Sequence, residues 1–258
     1  MAINLTSDIS DNFCIAPWVN LHISLQNQIK PCCGGKGEFE SIENYVNGTD
    51  SSLSQLKQDL VDGKSPSYCA GCMEKEWYSE FLDQKLSVDN IDSFTLKSID
   101  ARWGNTCQLS CMYCNEKWSS TWARLKSKII PIKSSRIYNN NIDKIFNLIE
   151  SNQHQIKRVS MLGGEPLLLK ENLRLLNSIA NDTSVEIFTN LNVDVENNEI
   201  YQQLIKRTNV NWYVSMETIE KRFEFVRRGA NWNKQLKNLQ LLLDSCPINN
   251  IAKSILCV

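Results

Sequence analysis

The sequence predicts an α/β protein, with a small cysteine-rich module of β-hairpin and helix placed before a parallel-sheet domain. Three observations lead there. From about residue 94, short apolar runs of strand character alternate with segments of helical period, the pattern of βαβ units; the parallel sheet this implies is either doubly wound or a barrel. Before that point the chain is turn-rich. The ten cysteines are also clustered: Cys14, Cys32, Cys33, Cys69 and Cys72 fall in the first part, Cys107, Cys111 and Cys114 share one octet, and only Cys246 and Cys257 lie elsewhere. The two parts are expected to divide as residues 1–93 and 94–258.

Taken in order, PWVNLHIS alternates apolar and polar residues and reads as a strand, and LQNQIK continues it as a hairpin with Asn27 in the turn. SSLSQLKQDLVDG has a Ser cap, Leu53, Leu56 and Leu60 at helical spacing, and Gly63 as its stop. The stretch from Cys72 to Leu86 reads as helix. Beyond it the strand candidates are FTLKSIDA, IKRVSML, VEIFTN, VNWYVSM and IAKSILCV. Helical stretches are expected near 115–128, 141–153, 170–181, 196–207 and 232–245. A strand at the chain terminus leaves a sheet edge to be paired, so the sequence reads as a form shortened after its fifth strand.

At 258 residues, with 42% hydrophobic and 22% charged side chains, the chain can bury a sizeable core. A net charge of −1 argues against a nucleic-acid partner gripped by phosphate neutralisation. No run of about 18 apolar residues suggests a membrane span. The start, MAINLTSDISDNF, lacks the basic and apolar regions of a secretory signal, so a cytoplasmic location is expected. In a reducing compartment, clustered thiols point to metal or catalysis rather than disulfides.

The octet CQLSCMYC, Cys107 to Cys114, follows the first strand of the alternating region. Its spacing of three residues and then two departs from the paired CxxC of zinc sites, though zinc with a remote fourth ligand is the plain alternative. A four-iron cluster takes four thiolates, so three leave one iron open to a ligand. MLGGEPLL, Met161 to Leu168, ends the second strand. Gly163 and Gly164 permit close backbone approach, Glu165 brings a carboxylate, and Pro166 fixes the turn into the next helix. Read alone, GGEP is little more than a βα turn.

CxxxCxxC with Tyr113 before its last cysteine, followed by GGEP, resembles the radical S-adenosylmethionine (SAM) enzymes over roughly residues 95–258. The resemblance implies a partial (β/α)6 TIM-like barrel in which Cys107, Cys111 and Cys114 hold three irons of a [4Fe–4S] cluster. SAM would chelate the fourth iron. Gly163, Gly164, Glu165 and Pro166 would cradle its amine end, Thr189 and Asn190 would stand at the third strand end, Ser215 near the ribose or carboxylate, and Arg227 on the carboxylate. The family often has Asp where Glu217 stands and Asn where Gln108 stands. One electron would cleave SAM to methionine and a 5′-deoxyadenosyl radical, which takes hydrogen from a substrate.

FCIAPWVNLHISLQNQIKPCC with YCAGCMEKE resembles the SPASM/twitch auxiliary-cluster modules. That resemblance implies a second [4Fe–4S] cluster on Cys14, Cys32, Cys69 and Cys72, with Cys33 competing with Cys32; structural zinc is the alternative. It also implies a peptide or small-molecule substrate and an electron donor such as flavodoxin or ferredoxin. His22, His154, Trp118, Trp122, Cys246 and Cys257 read as packing or surface residues, and KRFEFVRR as a charged helix face apart from Arg227. The competing function is a non-catalytic iron–sulfur or zinc-binding interaction protein.

Overall fold

The computed structural model describes residues 13–25, 28–35, 41–73, 93–129, 142–246 and 251–252, with backbone alone for 72–73 and 251–252. It is a mixed α/β fold with a parallel-strand sheet. The chain forms two compact units, residues 1–100 with 139–157, and residues 101–138 with 158–258.

Among the described residues of the first unit, the first element is a helical turn, α1 (Ala16–Val19), where the alternation had suggested strand. Pro17 in the first turn favours that helical start, and the strand β1 (Asn20–Ile23) begins only after it. All four β1 residues are buried, His22 included, with Nδ1 3.9 Å from Asp100. β1 pairs antiparallel with β2 (Ile29–Lys30), His22 opposite Lys30, so the hairpin is present; Asn27 lies outside the described residues. A helix the sequence reading missed, α2 (Ile42–Asn47), is capped by Ser41 and ended by Gly48 at φ +70°.

α3 (Ser51–Val61) is capped by Asp50, whose side chain accepts from Leu53 N at 2.9 Å, and not by a serine. Leu53, Leu56 and Leu60 are buried, the last two against Phe13, Ile15, Trp18 and Val19. A 3-10 turn (Ser67–Cys69) and α4 (Ala70–Met73) follow; the rest of the helix expected to Leu86 lies outside the described residues. α6 (Ile142–Ser151) also belongs here, presenting Ile145, Phe146 and Ile149 inward.

In the second unit β4 (Arg158–Met161), β5 (Ser184–Thr189), β6 (Val210–Val214) and β7 (Ile251–Ala252) pair in parallel and in chain order. Helices connect them: α7 (Lys170–Ser178), α8 (Glu199–Leu204), α9 (Glu220–Val226) and α10 (Trp232–Ser245). This is the repeat of a (β/α) fold, consistent with a partial TIM-like barrel. The expected strand IAKSILCV and Cys257 lie outside the described residues beyond Ala252.

Strand alternation gives this sheet two faces. Val159, Met161, Val185, Ile187, Val210, Trp212 and Val214 line one, all buried. The other carries Arg158, Ser160, Glu186, Phe188 and Tyr213. There Arg158 Nη2 donates to Ser160 Oγ (2.6 Å) and Glu186 Oε2 (2.9 Å), and Ser160 donates to the same oxygen (2.7 Å).

Candidate functional site

β3 (Ser98–Ala101) leads through residues 102–106 into the octet, and three neighbouring segments fix that loop. From the end of β4, Gly164 N donates to Gly104 O (3.1 Å) and Glu165 N to Thr106 O (2.8 Å). A Cβ on Gly164 would stand 2.4 Å from Thr106 O, and one on Gly163, at φ +132°, would stand 2.8 Å from Gly104 O. What these glycines admit in this structure is the backbone of the cysteine loop.

From the end of α9 and the turn after it, Ser110 N and Met112 N donate to Arg228 O and Val226 O, both 2.9 Å. The third clamp is the start of α5 (Ser120–Ser127), five residues later than the sequence suggested because 116–118 form a turn. Cys107 N donates to Ser120 Oγ, Thr121 donates to Cys107 O (2.8 Å), and Ser119 donates to Leu109 O (2.6 Å). The Trp122 indole donates to Cys111 O at 2.8 Å, so this residue braces the loop as well as packing.

Held this way, Cys107 and Cys111 are buried in one cluster with Leu109, and Cys114 and Ala230 pack against it. Two N–H groups meet sulfur: Asn190 Nδ2 lies 3.8 Å from Cys107 Sγ, and Arg227 Nη1 lies 3.9 Å from Cys111 Sγ. Burial pushes the Cys107 thiol up to about 12 and raises Cys111 and Cys114. Each therefore keeps its proton at neutral pH, and a metal must displace it.

Among the described residues, no three His, Cys, Asp or Glu side chains converge closely enough for a single metal ion. A four-iron cluster asks for a different arrangement, one thiolate per iron at separate corners. Three thiols in a shared pocket, with N–H groups aimed at two of the sulfurs, fit such a cluster in donor type and number.

Glu165 is fully buried. Its carboxylate accepts from Leu167 N (3.1 Å), the Thr189 hydroxyl (2.6 Å) and Asn190 N (2.8 Å). Burial raises it to about 7 against the lowering effect of those bonds. It thereby ties the β4 loop to the end of β5. There Leu191 adopts φ +54°, a costly conformation for a branched side chain, with its N bonded to Thr189 Oγ1 at 2.9 Å. Asn190 is thus turned toward Cys107 and also accepts from Gln108 Nε2 at 3.0 Å. Pro166 is buried at the start of a 3-10 turn.

At the end of β6, Ser215 N donates to Thr189 O at 2.9 Å. Glu217 receives three donors: Arg227 Nε (2.8 Å), Arg227 Nη2, and the Tyr113 hydroxyl (2.7 Å). Burial is the largest single influence on the Arg227 guanidinium and lowers it, but Glu217, Tyr113 and Cys111 together raise it more, and the net direction is up. The ring of Tyr113 lies under that guanidinium at 5.6 Å. Burial raises the Tyr113 hydroxyl as well.

The structure therefore gathers Cys107, Cys111, Cys114, Tyr113, Gly163, Gly164, Glu165, Thr189, Asn190, Ser215, Glu217 and Arg227 into one connected region. Sequence reading missed the Ser119–Thr121 clamp and the Gln108–Asn190 bond. The run of three hydroxyls after the octet was a signal for the first; nothing local marks the second, which joins residues 82 apart.

In the first unit, Cys14, Cys69 and Tyr68 pack against the Phe13–Trp18–Leu60 core. Cys32 stands beside the hydroxyl of Tyr68 and contributes, after burial, to raising it; Cys33 is exposed. The side chain of Cys72 lies outside the described residues.

Comparison with known proteins gives two findings. A family model described as "Radical SAM superfamily" matches residues 102–253. Among solved structures, the crystal structure of Streptococcus suis SuiB bound to S-adenosylmethionine aligns with 76% of this chain and 44% of that one, at 16% identity and a TM-score of 0.40. This chain thus spans less than half the length of that protein. No curated protein matches.

Proposed function

This chain belongs to the radical SAM superfamily, and on that premise we propose that Cys107, Cys111 and Cys114 hold the cluster that SAM meets. The chemistry is SAM-dependent radical chemistry, and the family makes the protein an enzyme. With a [4Fe–4S] cluster bound there, one-electron cleavage of SAM would supply a 5′-deoxyadenosyl radical for hydrogen abstraction.

The observation that carries the assignment is the three-thiol loop, clamped on three sides, with Asn190 and Arg227 aimed at two sulfurs. The protein's own residues then divide the work. Ser119, Ser120, Thr121 and Trp122 hold the loop backbone, and Glu165 braces the GGEP turn against Thr189 and Asn190. Tyr113, Glu217 and Arg227 form the wall where the amino-acid end of SAM is expected, with Ser215 beside it. Gly163, Gly164, Glu165 and Pro166 take the amine end in this reading, and Arg227 the carboxylate.

The same reading gives the first part, residues 1–93, an auxiliary [4Fe–4S] cluster of the SPASM/twitch kind. Its ligands would be Cys14, Cys69, Cys72 and Cys32. Cys32 is preferred to Cys33 because it is half-buried beside Tyr68, which packs in one cluster with Cys14 and Cys69, whereas Cys33 is exposed. The substrate is a peptide, with a small molecule as the other class, and the reductant is a flavodoxin or ferredoxin. The experiment is direct: dithionite-reduced, reconstituted protein mixed with SAM should release 5′-deoxyadenosine. An intact, reduced cluster that leaves SAM uncleaved would return the protein to the class of non-catalytic binding modules.

A further inference from the structure

The cysteine loop has an outer rim whose chemistry the site itself does not use. Met112 and Phe225 are 52% and 67% exposed, on backbone segments joined by the Met112 N to Val226 O bond. Around them the charge is one-sided. Residues 111–129 and 217–228 together contain eight Lys or Arg and four Asp or Glu, an excess of four positive charges, while the whole chain carries −1. Three of the four acids are engaged: Glu217 by Arg227, Glu116 by Lys126, and Glu224 by Trp232 N.

Among the described residues, Lys221, Arg222, Arg124 and Lys128 are exposed and enter no ion pair, and Arg228 lies over the Trp122 ring. On α9, Lys221 and Arg222 stand four and three residues before Phe225 and therefore share its side of the helix. On α5, Arg124 is one helical turn before Lys128. Cys114, the least buried of the three thiols, lies in the loop that leads into α5 and packs in one cluster with Ala230, four residues beyond α9.

From this juxtaposition we infer that the rim formed by Met112, Phe225, Lys221, Arg222 and Arg124 is the docking surface for an acidic one-electron donor protein. The inference rests on the radical SAM reading, which requires such an electron. A small apolar centre ringed by one sign of charge suits a transient encounter: charge steers the approach and the exposed side chains make the contact. One electron passes from the reduced donor to the oxidised cluster. The donor leaves oxidised by one electron, and no atoms are transferred.

The test compares two reductants on the reconstituted full chain. Reduced flavodoxin, an acidic protein, is the docking probe; dithionite, which needs no docking surface, is the control. The variants are Lys221→Glu with Arg222→Glu on α9 and, independently, Arg124→Glu with Lys128→Glu on α5. Each pair should slow flavodoxin-driven cluster bleaching and 5′-deoxyadenosine release about tenfold at low salt, leaving the dithionite-driven rates within about twofold. The wild-type flavodoxin rate should fall as salt rises from about 0.05 to 0.5 M, with a weaker fall in the variants. Unchanged flavodoxin rates in both pairs would overturn the proposal, as would equal slowing with dithionite. Wild-type protein that dithionite cannot reduce would overturn the radical SAM reading and the proposal with it.

Discussion

Replacing Glu165 by Gln isolates what this buried carboxyl does. The group is held at about 7 in the folded chain against 4.5 for an unperturbed glutamate, burial being the main cause. A difference of about 2.5 pH units corresponds to about 3 kcal/mol. The sign follows from proton binding: the folded state holds this proton more tightly than the unfolded chain does. The associated stability is therefore complete below about 4.5 and is lost as pH rises through about 7. Between about pH 5 and pH 8 the loss is about 2.5 kcal/mol.

Glutamine cannot ionise, so its stability lacks this slope, but its amide nitrogen cannot accept the bonds that Thr189, Asn190 N and Leu167 N now share. At about pH 5 the variant should be less stable by about 1–3 kcal/mol. By about pH 8 the gap should close or reverse. Urea unfolding of the metal-free chain under reducing, anaerobic conditions reads both, and taking the difference between the two proteins cancels the other titrating groups. A difference that stays constant to within about 0.5 kcal/mol across this range would refute the assignment of a buried, protonatable strut.

Gly164→Ala should destabilise the fold by about 2–4 kcal/mol, because its Cβ meets backbone oxygen and cannot be relieved by a side-chain rotation; thermal unfolding checks it. Arg227→Met removes a positive charge and an N–H from Cys111 Sγ, so the potential of the reduced cluster should fall by about 60 mV, equivalent to about 1.4 kcal/mol for one electron, in a spectroelectrochemical titration. Cys111→Ala should abolish SAM cleavage and reduce the iron bound to what the auxiliary site holds. Anaerobic reconstitution should give about eight irons and eight sulfides per chain. A preparation with about four irons and one zinc would contradict the auxiliary cluster.

Much of this architecture is legible in the sequence because its signals are local. Strand–helix alternation after residue 94 corresponds to β4, β5 and β6 and their helices, since period and length need no distant partner. The octet and GGEP were visible for the same reason. What escaped was decided by contact. Pro17 favours a helical start, and the first three residues of the expected strand PWVNLHIS fall in α1. Asp50 caps α3 because its carboxylate reaches Leu53 N, a choice that neighbouring serines obscured.

That the glycines of GGEP pack against the Gly104–Thr106 backbone is a tertiary fact with no sequence period. Likewise Glu186 opposite Ser160, joined by Arg158, is invisible until the strands are in register. The region around Cys107 shows both regimes: the thiols announce themselves, while Gln108, Asn190 and the Ser119–Thr121 clamp acquire meaning only when folded.

The central claim is that three thiolates leave one iron open for SAM. Electron paramagnetic resonance of the dithionite-reduced cluster, recorded with and without SAM, tests it most directly. The Cys14→Ala, Cys32→Ala, Cys69→Ala, Cys72→Ala variant removes the proposed auxiliary cluster from the spectrum. The account predicts a four-iron signal whose g-values shift when SAM is added and which is missing when Cys111 is also replaced by Ala. A reduced four-iron signal unchanged by saturating SAM would contradict it.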